Sequence, residues 1–197
     1  MTGGRGKATW MAFGFRAAAG GGVVIDLDSD EADILRAMGG LVLDLVEAPP
    51  EKDEFERIVG IGANAEKPDD PVLARLFPDA YGDDAGAAGD FRRYTEDGLR
   101  LHKRENARRI LDALPADGGG RVDLDAGGAH AWMKSLNDVR LALGTRLGID
   151  EETHDAYLRG EDAVPETDAA AMHLYDWLGM LQESLVEALS DAAEGGK

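Results

Sequence analysis

The chain has 197 residues, 44% of them apolar, with a formal net charge of −18 and a sequence pI near 4.5. That length can bury a real hydrophobic core. Its negative field repels nucleic-acid phosphates and anionic membrane surfaces, and favours solubility or positively charged partners. There is no Cys, which excludes disulfides, zinc–thiolate sites and thiol redox sensing by the chain itself.

The glycine-rich residues Met1 to Lys7 lead into an apolar stretch broken by Arg16 and by Gly20, Gly21 and Gly22. That is not the continuous apolar region of a signal peptide. No run of 18 apolar residues occurs either, so no membrane span and a cytoplasmic location are expected. Residues 8–193 are expected to form a single mostly helical domain, with flexible ends at 1–7 and 194–197. Only 6 of the 21 basic residues are Lys, and Gly and Ala are abundant, as in the coding of a high-GC genome.

In chain order, loose alternation from Ala8 to Phe15, the triple glycine and the β-branched run Val23-Val24-Ile25 predict an N-terminal β-hairpin over about 8–27. Two strands are marginal alone, so the hairpin should pack on helices. Asp28, Ser29 and Asp30 offer N-caps to a helix carrying Ile34, Leu35, Met38, Leu41, Val42, Leu45 and Val46 at helical spacing; Pro49-Pro50 ends it. A short helix is expected from Asp53 to Val59.

Asp70-Pro71 starts another helix, with Asp as cap and Pro at the first helical position, and Pro78 stops it. Asp83-Asp84 precedes a long helix over about 89–114. Ala116 to Gly120 is expected as a flexible turn, and Asp123 or Asp125 as the cap of a helix running to Leu147. Gly148-Ile149 has the form of a Schellman ending. A short helix from Glu151 to Leu158 follows, and Thr167 is expected to cap a last helix to about Ala192. In that helix Leu174, Leu178, Leu181, Leu185 and Leu189 form one stripe, while Tyr175, Trp177, Met180 and Val186 lie off it. Apolar residues on several faces predict burial on most sides, making this the expected central helix, next to the one carrying Trp132, Leu136, Val139, Leu143 and Leu147. The fold class is therefore mainly α: a multi-helix bundle with a small N-terminal β-hairpin packed on it.

Motifs for chemistry are scarce. His102, His130, His154 and His173 stand in no metal-ligand spacing. Asp26, Asp28 and Asp30 look like the start of a calcium loop, but Glu31 and Ala37 occupy the positions that need glycine and glutamate. Gly6-Lys7 lacks the rest of a P-loop, and neither a nucleophile elbow nor a dinucleotide fingerprint is present. No catalytic, cofactor-binding or metal residue is assigned, and no cofactor is expected.

One segment reverses the charge. Between Arg92 and Arg109 stand seven basic residues and three acidic ones. Arg93, Arg100, Arg104 and Arg108 fall roughly along one helical stripe. They form either a docking face for an acidic partner or phosphate, or a set of arginines solvated or paired within the chain. Asn137, Arg140 and Arg146, with Asp138, punctuate the Trp132–Leu147 helix and make a second candidate surface. Asp176, set between Tyr175 and Trp177, is a structural partner for Arg140 or Arg146, a pair that would fix helix register.

The string Asp70-Pro71-Val72-Leu73-Ala74-Arg75-Leu76-Phe77-Pro78, then Phe91-Arg92-Arg93-Tyr94-Thr95-Glu96, Leu136 to Leu147 (LNDVRLALGTRL) and Tyr175 to Leu185 (YDWLGMLQESL) resemble the DUF2017 family of actinobacterial proteins. The resemblance covers most of the chain from about 9 to 190. It implies encoding beside the Clp protease adaptor and near sulfur-metabolism genes. For some members it implies oxidative-stress transcriptional regulation with thiols as the sensing group. With no Cys, this chain departs from the thiol scheme, and the family offers no catalytic residues to carry over.

The leading expectation is a non-enzymatic regulatory or adaptor protein acting through protein contacts, with transcription machinery such as a sigma factor, or Clp components, as partners. The alternatives are a direct DNA-binding regulator, which the charge disfavours, and an enzyme of unknown class, which would need a pocket of convergent titratable groups. A homodimer is compatible with the apolar helix surfaces.

Overall fold

The computed structural model describes residues 14–47, 68–80, 84–149 and 166–195. The expected strand before Gly14, the flexible start at 1–7 and the short helices at 53–59 and 151–158 lie outside them. The described elements are β1 (Arg16–Ala17), β2 (Val23–Leu27), α1 (Ser29–Leu45), α2 (Pro71–Leu76), α3 (Ala85–Ala113), β3 (Gly120–Leu124), α4 (Ala126–Leu147) and α5 (Glu166–Gly195). The fold is mainly helical with a small antiparallel sheet packed against the helices, as the sequence implies.

The helix ends follow the sequence signals. Asp28 and Glu31 form a reciprocal capping box at α1, with Glu31 N donating to Asp28 at 2.8 Å and Asp28 N to Glu31 at 2.9 Å. Asp70 caps α2 ahead of Pro71, accepting from Val72 N at 2.7 Å. Asp84 caps α3 and Asp125 caps α4. Gly148, at φ 64°, ends α4, and Ile149 N donates to Gly144 O at 2.8 Å, the long bond of the expected Schellman turn. Several boundaries differ: α3 begins at Ala85, a turn ahead of the expected 89, and α5 runs on to Gly195, past the expected Ala192. α1 stops at Leu45, before the proline pair, and α5 already runs from Glu166, so Thr167 lies inside the helix and does not cap it.

The expected hairpin is present, β1 pairing antiparallel with β2, and the structure adds a strand to it. The sheet has three strands in the order β1-β2-β3, all antiparallel, and residues 120–124, expected as the end of a turn and the start of a helix, form the third. Val23 pairs with Leu124, Ile25 with Val122 and Leu27 with Gly120. Val122 and Leu124 point inward while Arg121 and Asp123 stay exposed, the alternation of a strand with one buried face. The turn between β1 and β2 uses positive φ at Gly20, Gly21 and Gly22, a conformation that side-chain-bearing residues rarely adopt.

α4 occupies the centre: α1, α2, α3, α5 and β3 all pack on it. Trp132 and Leu136 are fully buried there, and Phe15 meets the Trp132 ring edge-on at 5.7 Å between centroids. Phe15 N also donates to Ser184 Oγ at 3.0 Å, tying the sheet to α5. The last helix is therefore not the central one. Its Leu178, Leu181 and Leu185 are buried, but Met180 and Val186 are 50% and 47% exposed, because α5 covers α4 and the sheet on one side only.

Truncation separates the two assignments. Leu136→Ala is expected to cost about 2–5 kcal/mol of unfolding free energy, and Met180→Ala no more than about 0.5 kcal/mol, both by urea denaturation. Equal costs would contradict the central place of α4.

Candidate functional site: the two sides of α3

α3 is the basic helix, and its arginines do not form one stripe. On its inner side Arg92, Glu96, Arg100 and Lys103 make a charged row that packs into the protein. Arg92 pairs with Asp79 and lies 3.9 Å from Glu96. Arg100 gives Glu96 Oε1 two hydrogen bonds, from Nε at 2.9 Å and Nη2 at 2.7 Å, and a third reaches the carbonyl of Glu47 at 3.3 Å. The Arg100 guanidinium lies 4.5 Å from the Phe77 ring centroid, with Lys103 Nζ 5.8 Å from the same ring, a geometry that favours cation–π attraction.

This placement corrects the docking reading of Arg100: it is 6% exposed and its charge is used within the chain. The reason is tertiary. Phe77 and Asp79 arrive from the end of α2 and cover that side of α3. The side chain of Arg93 lies outside the described residues. Arg104 is half-buried, and Arg108 is exposed.

The outer side of α3 carries apolar groups in solvent. Tyr94 is 83% exposed and Leu101 51%. Seven residues apart, they fall on one helical face, with Gly98 between them. Arg108 continues that line at the next seven-residue step, and Arg104 lies at its border. This apolar face with basic neighbours was not singled out from the sequence. The spacing of Tyr94 and Leu101 carried the signal, but only the burial of the opposite side gives it a direction.

The other predicted surface divides too. Asn137 is exposed and Arg146 is exposed near the end of α4. Arg140 reaches α5, where Nη1 donates to Gln182 Oε1 at 3.0 Å and the guanidinium lies 4.8 Å from the Tyr175 ring centroid; its pairing with Asp176 stays an expectation. Between α3 and α4 runs a groove of about 630 Å³ whose polar lining includes His102, Lys103, Asn106, Lys134, Asn137 and Gln182. Asp138 closes it from α4, 4% exposed, with its carboxylate 2.6 Å from Lys103 Nζ. Among the described residues no group of three or more His, Asp and Glu side chains is placed to hold a metal ion, and no helix is long and apolar enough to cross a membrane.

Burial pushes the Asp138 carboxyl above the ordinary aspartate range, while the Lys103 hydrogen bond and charge pull the other way. The folded chain thus holds this proton to higher pH than the unfolded chain. The resulting stability is fully present below about pH 4, the unfolded value, and is lost as pH rises through the folded pKa. Asp138→Asn removes the titration. The wild-type chain is expected to gain stability relative to the variant as pH falls towards about 4, read from urea denaturation at a series of pH values. A stability difference independent of pH would contradict the assignment.

The family model described as Domain of unknown function (DUF2017) matches residues 12–189. Proteins of Mycobacterium tuberculosis and Mycobacterium bovis named oxidative stress regulator AosR are each 37% identical over 178 residues, covering 81% of this chain and 78% of theirs. A Mycobacterium leprae protein named putative oxidative stress regulator AosR is 38% identical over the same share. No solved structure gives a significant match. On the extent of the family match and the identity to these relatives, the chain belongs to the DUF2017 family.

Proposed function

We propose that this protein is a non-enzymatic regulator that acts by binding another protein through the outer face of α3, in a stress-linked role like that in its relatives' names. The observation that carries the reading is the exposure of Tyr94 and Leu101 in line with Arg108 and beside Arg104. Exposed aromatic and arginine side chains together are the usual anchors of protein interfaces. In a chain of net charge −18, basic groups beside an apolar strip select a partner with an apolar ridge flanked by carboxylates. A sigma factor, another part of the transcription machinery or a Clp component are the partners the family resemblance suggests. The regulatory role in the relatives' names is met through this contact and not through catalysis.

The test is affinity capture from host lysate with nuclease present, at two salt concentrations, comparing the wild-type chain with Tyr94→Asp, Leu101→Asp and Arg104→Glu combined. A protein retained by the wild type and lost by the variant, with the variant's circular dichroism unchanged, is the expected result. Partner recovery unaffected by the triple change would remove the outer face of α3 from the interaction. Recovery abolished by nuclease would favour direct DNA binding instead.

A further inference from the structure

The groove between α3 and α4 has the size of a small-molecule site, about 630 Å³, and Lys103 and Lys134 in its lining can only donate, while its amides and imidazole can both donate and accept. Lys134 stands exposed on its α4 wall. Asp138 is the one carboxylate among the described lining residues. Its charge is met by Lys103 at 2.6 Å, so it does not leave the groove acidic.

Gln182 adds a donor of fixed sense. Arginine can only donate, so the bond from Arg140 engages the amide oxygen of Gln182 and leaves its NH2 group to donate elsewhere. The Arg140 guanidinium also brings a positive charge behind that wall, held by Tyr175. Asn137 and His102 offer further hydrogen-bonding groups, and Leu99 and Met133 supply apolar surface. With Asp138 met by Lys103, Lys134 is the uncompensated charge in this lining, and it is positive.

We propose that this groove binds a small organic anion, a phosphate or carboxylate group on a compact apolar body, with Lys134 and Gln182 as its main donors. The site gives the cysteine-free chain a way to register a metabolite through a non-covalent ligand. It is independent of whether the outer face of α3 docks a protein.

The experiment is thermal denaturation and isothermal titration calorimetry of the full chain with three probes: inorganic phosphate, adenosine 5′-monophosphate and citrate. Sodium chloride of matched ionic strength and uncharged adenosine serve as controls. At least one probe should raise the melting temperature beyond the salt control, with calorimetric binding at one site. Lys134→Glu and Gln182→Met should each weaken that binding roughly tenfold or more, the loss of a charge-assisted hydrogen bond. Their far-ultraviolet circular dichroism should match the wild type, since Lys134 is exposed and Gln182 only half-buried. Response to the phosphates alone would assign a phosphate ligand, and response to citrate alone a carboxylate. No shift beyond matched salt for any of the three, or equal binding by both variants and the wild type, would overturn the proposal.

Discussion

The inward row of charges on α3 sets the arrangement of everything around it. Arg92, Glu96, Arg100 and Lys103 lie on one side of the helix and are answered by Asp79, by one another and by Asp138. Such pairs contribute little net stability once desolvation is counted, yet breaking one leaves a buried charge that costs several kcal/mol, about 3–5. Their effect is therefore to fix how α3 is rotated. Phe77, placed against both Arg100 and Lys103, binds the end of α2 into the same constraint. With that side committed, Tyr94 is left largely, and Leu101 half, in solvent.

The same rotation creates the groove. Lys103 cannot reach Asp138 unless α3 and α4 run close at that level, and His102 and Asn106 then come to the rim on the other helix from Lys134 and Asn137. The two candidate surfaces are thus neighbours on one helix, the apolar strip outside and the polar groove beside it. For a family whose relatives are named for oxidative stress, the absence of Cys is a specific constraint. No oxidant can write a disulfide into this chain, so the thiol chemistry of a redox sensor is closed to it.

Much of the fold was legible in the sequence because its signals are local. Asp28, Asp70 and Asp84 cap helices by contacts within three residues, and Gly148-Ile149 closes α4 in the same way. β3 was missed although Val122 and Leu124 alternate with Arg121 and Asp123, because the glycines at its start and the aspartates Asp123 within it and Asp125 after it also read as a turn and a cap. Its identity as a strand depends on pairing with residues about a hundred positions earlier. The burial of Arg100 was illegible for the same kind of reason. Glu96 and Arg100 at i, i+4 look like any solvated pair, and only Phe77 and the Glu47 carbonyl, brought from distant parts of the chain, show otherwise. The placement of α5 failed on composition: Met180 and Val186 made the helix look apolar all round, but both face out.

The orientation of α3 can be measured directly, because a chain without Cys gives a clean background for single thiols. Tyr94→Cys and Leu101→Cys test the outer face, and Ala107→Cys tests the inner one, where Ala107 is fully buried. Thiol-reagent labelling of the folded chain is expected to proceed at positions 94 and 101 nearly as fast as in denaturant, and to be strongly suppressed at 107. Suppressed labelling at 94 and 101 in the free protein, persisting at concentrations where the chain is monomeric, would contradict the rotation of α3 and the availability of this face to another protein.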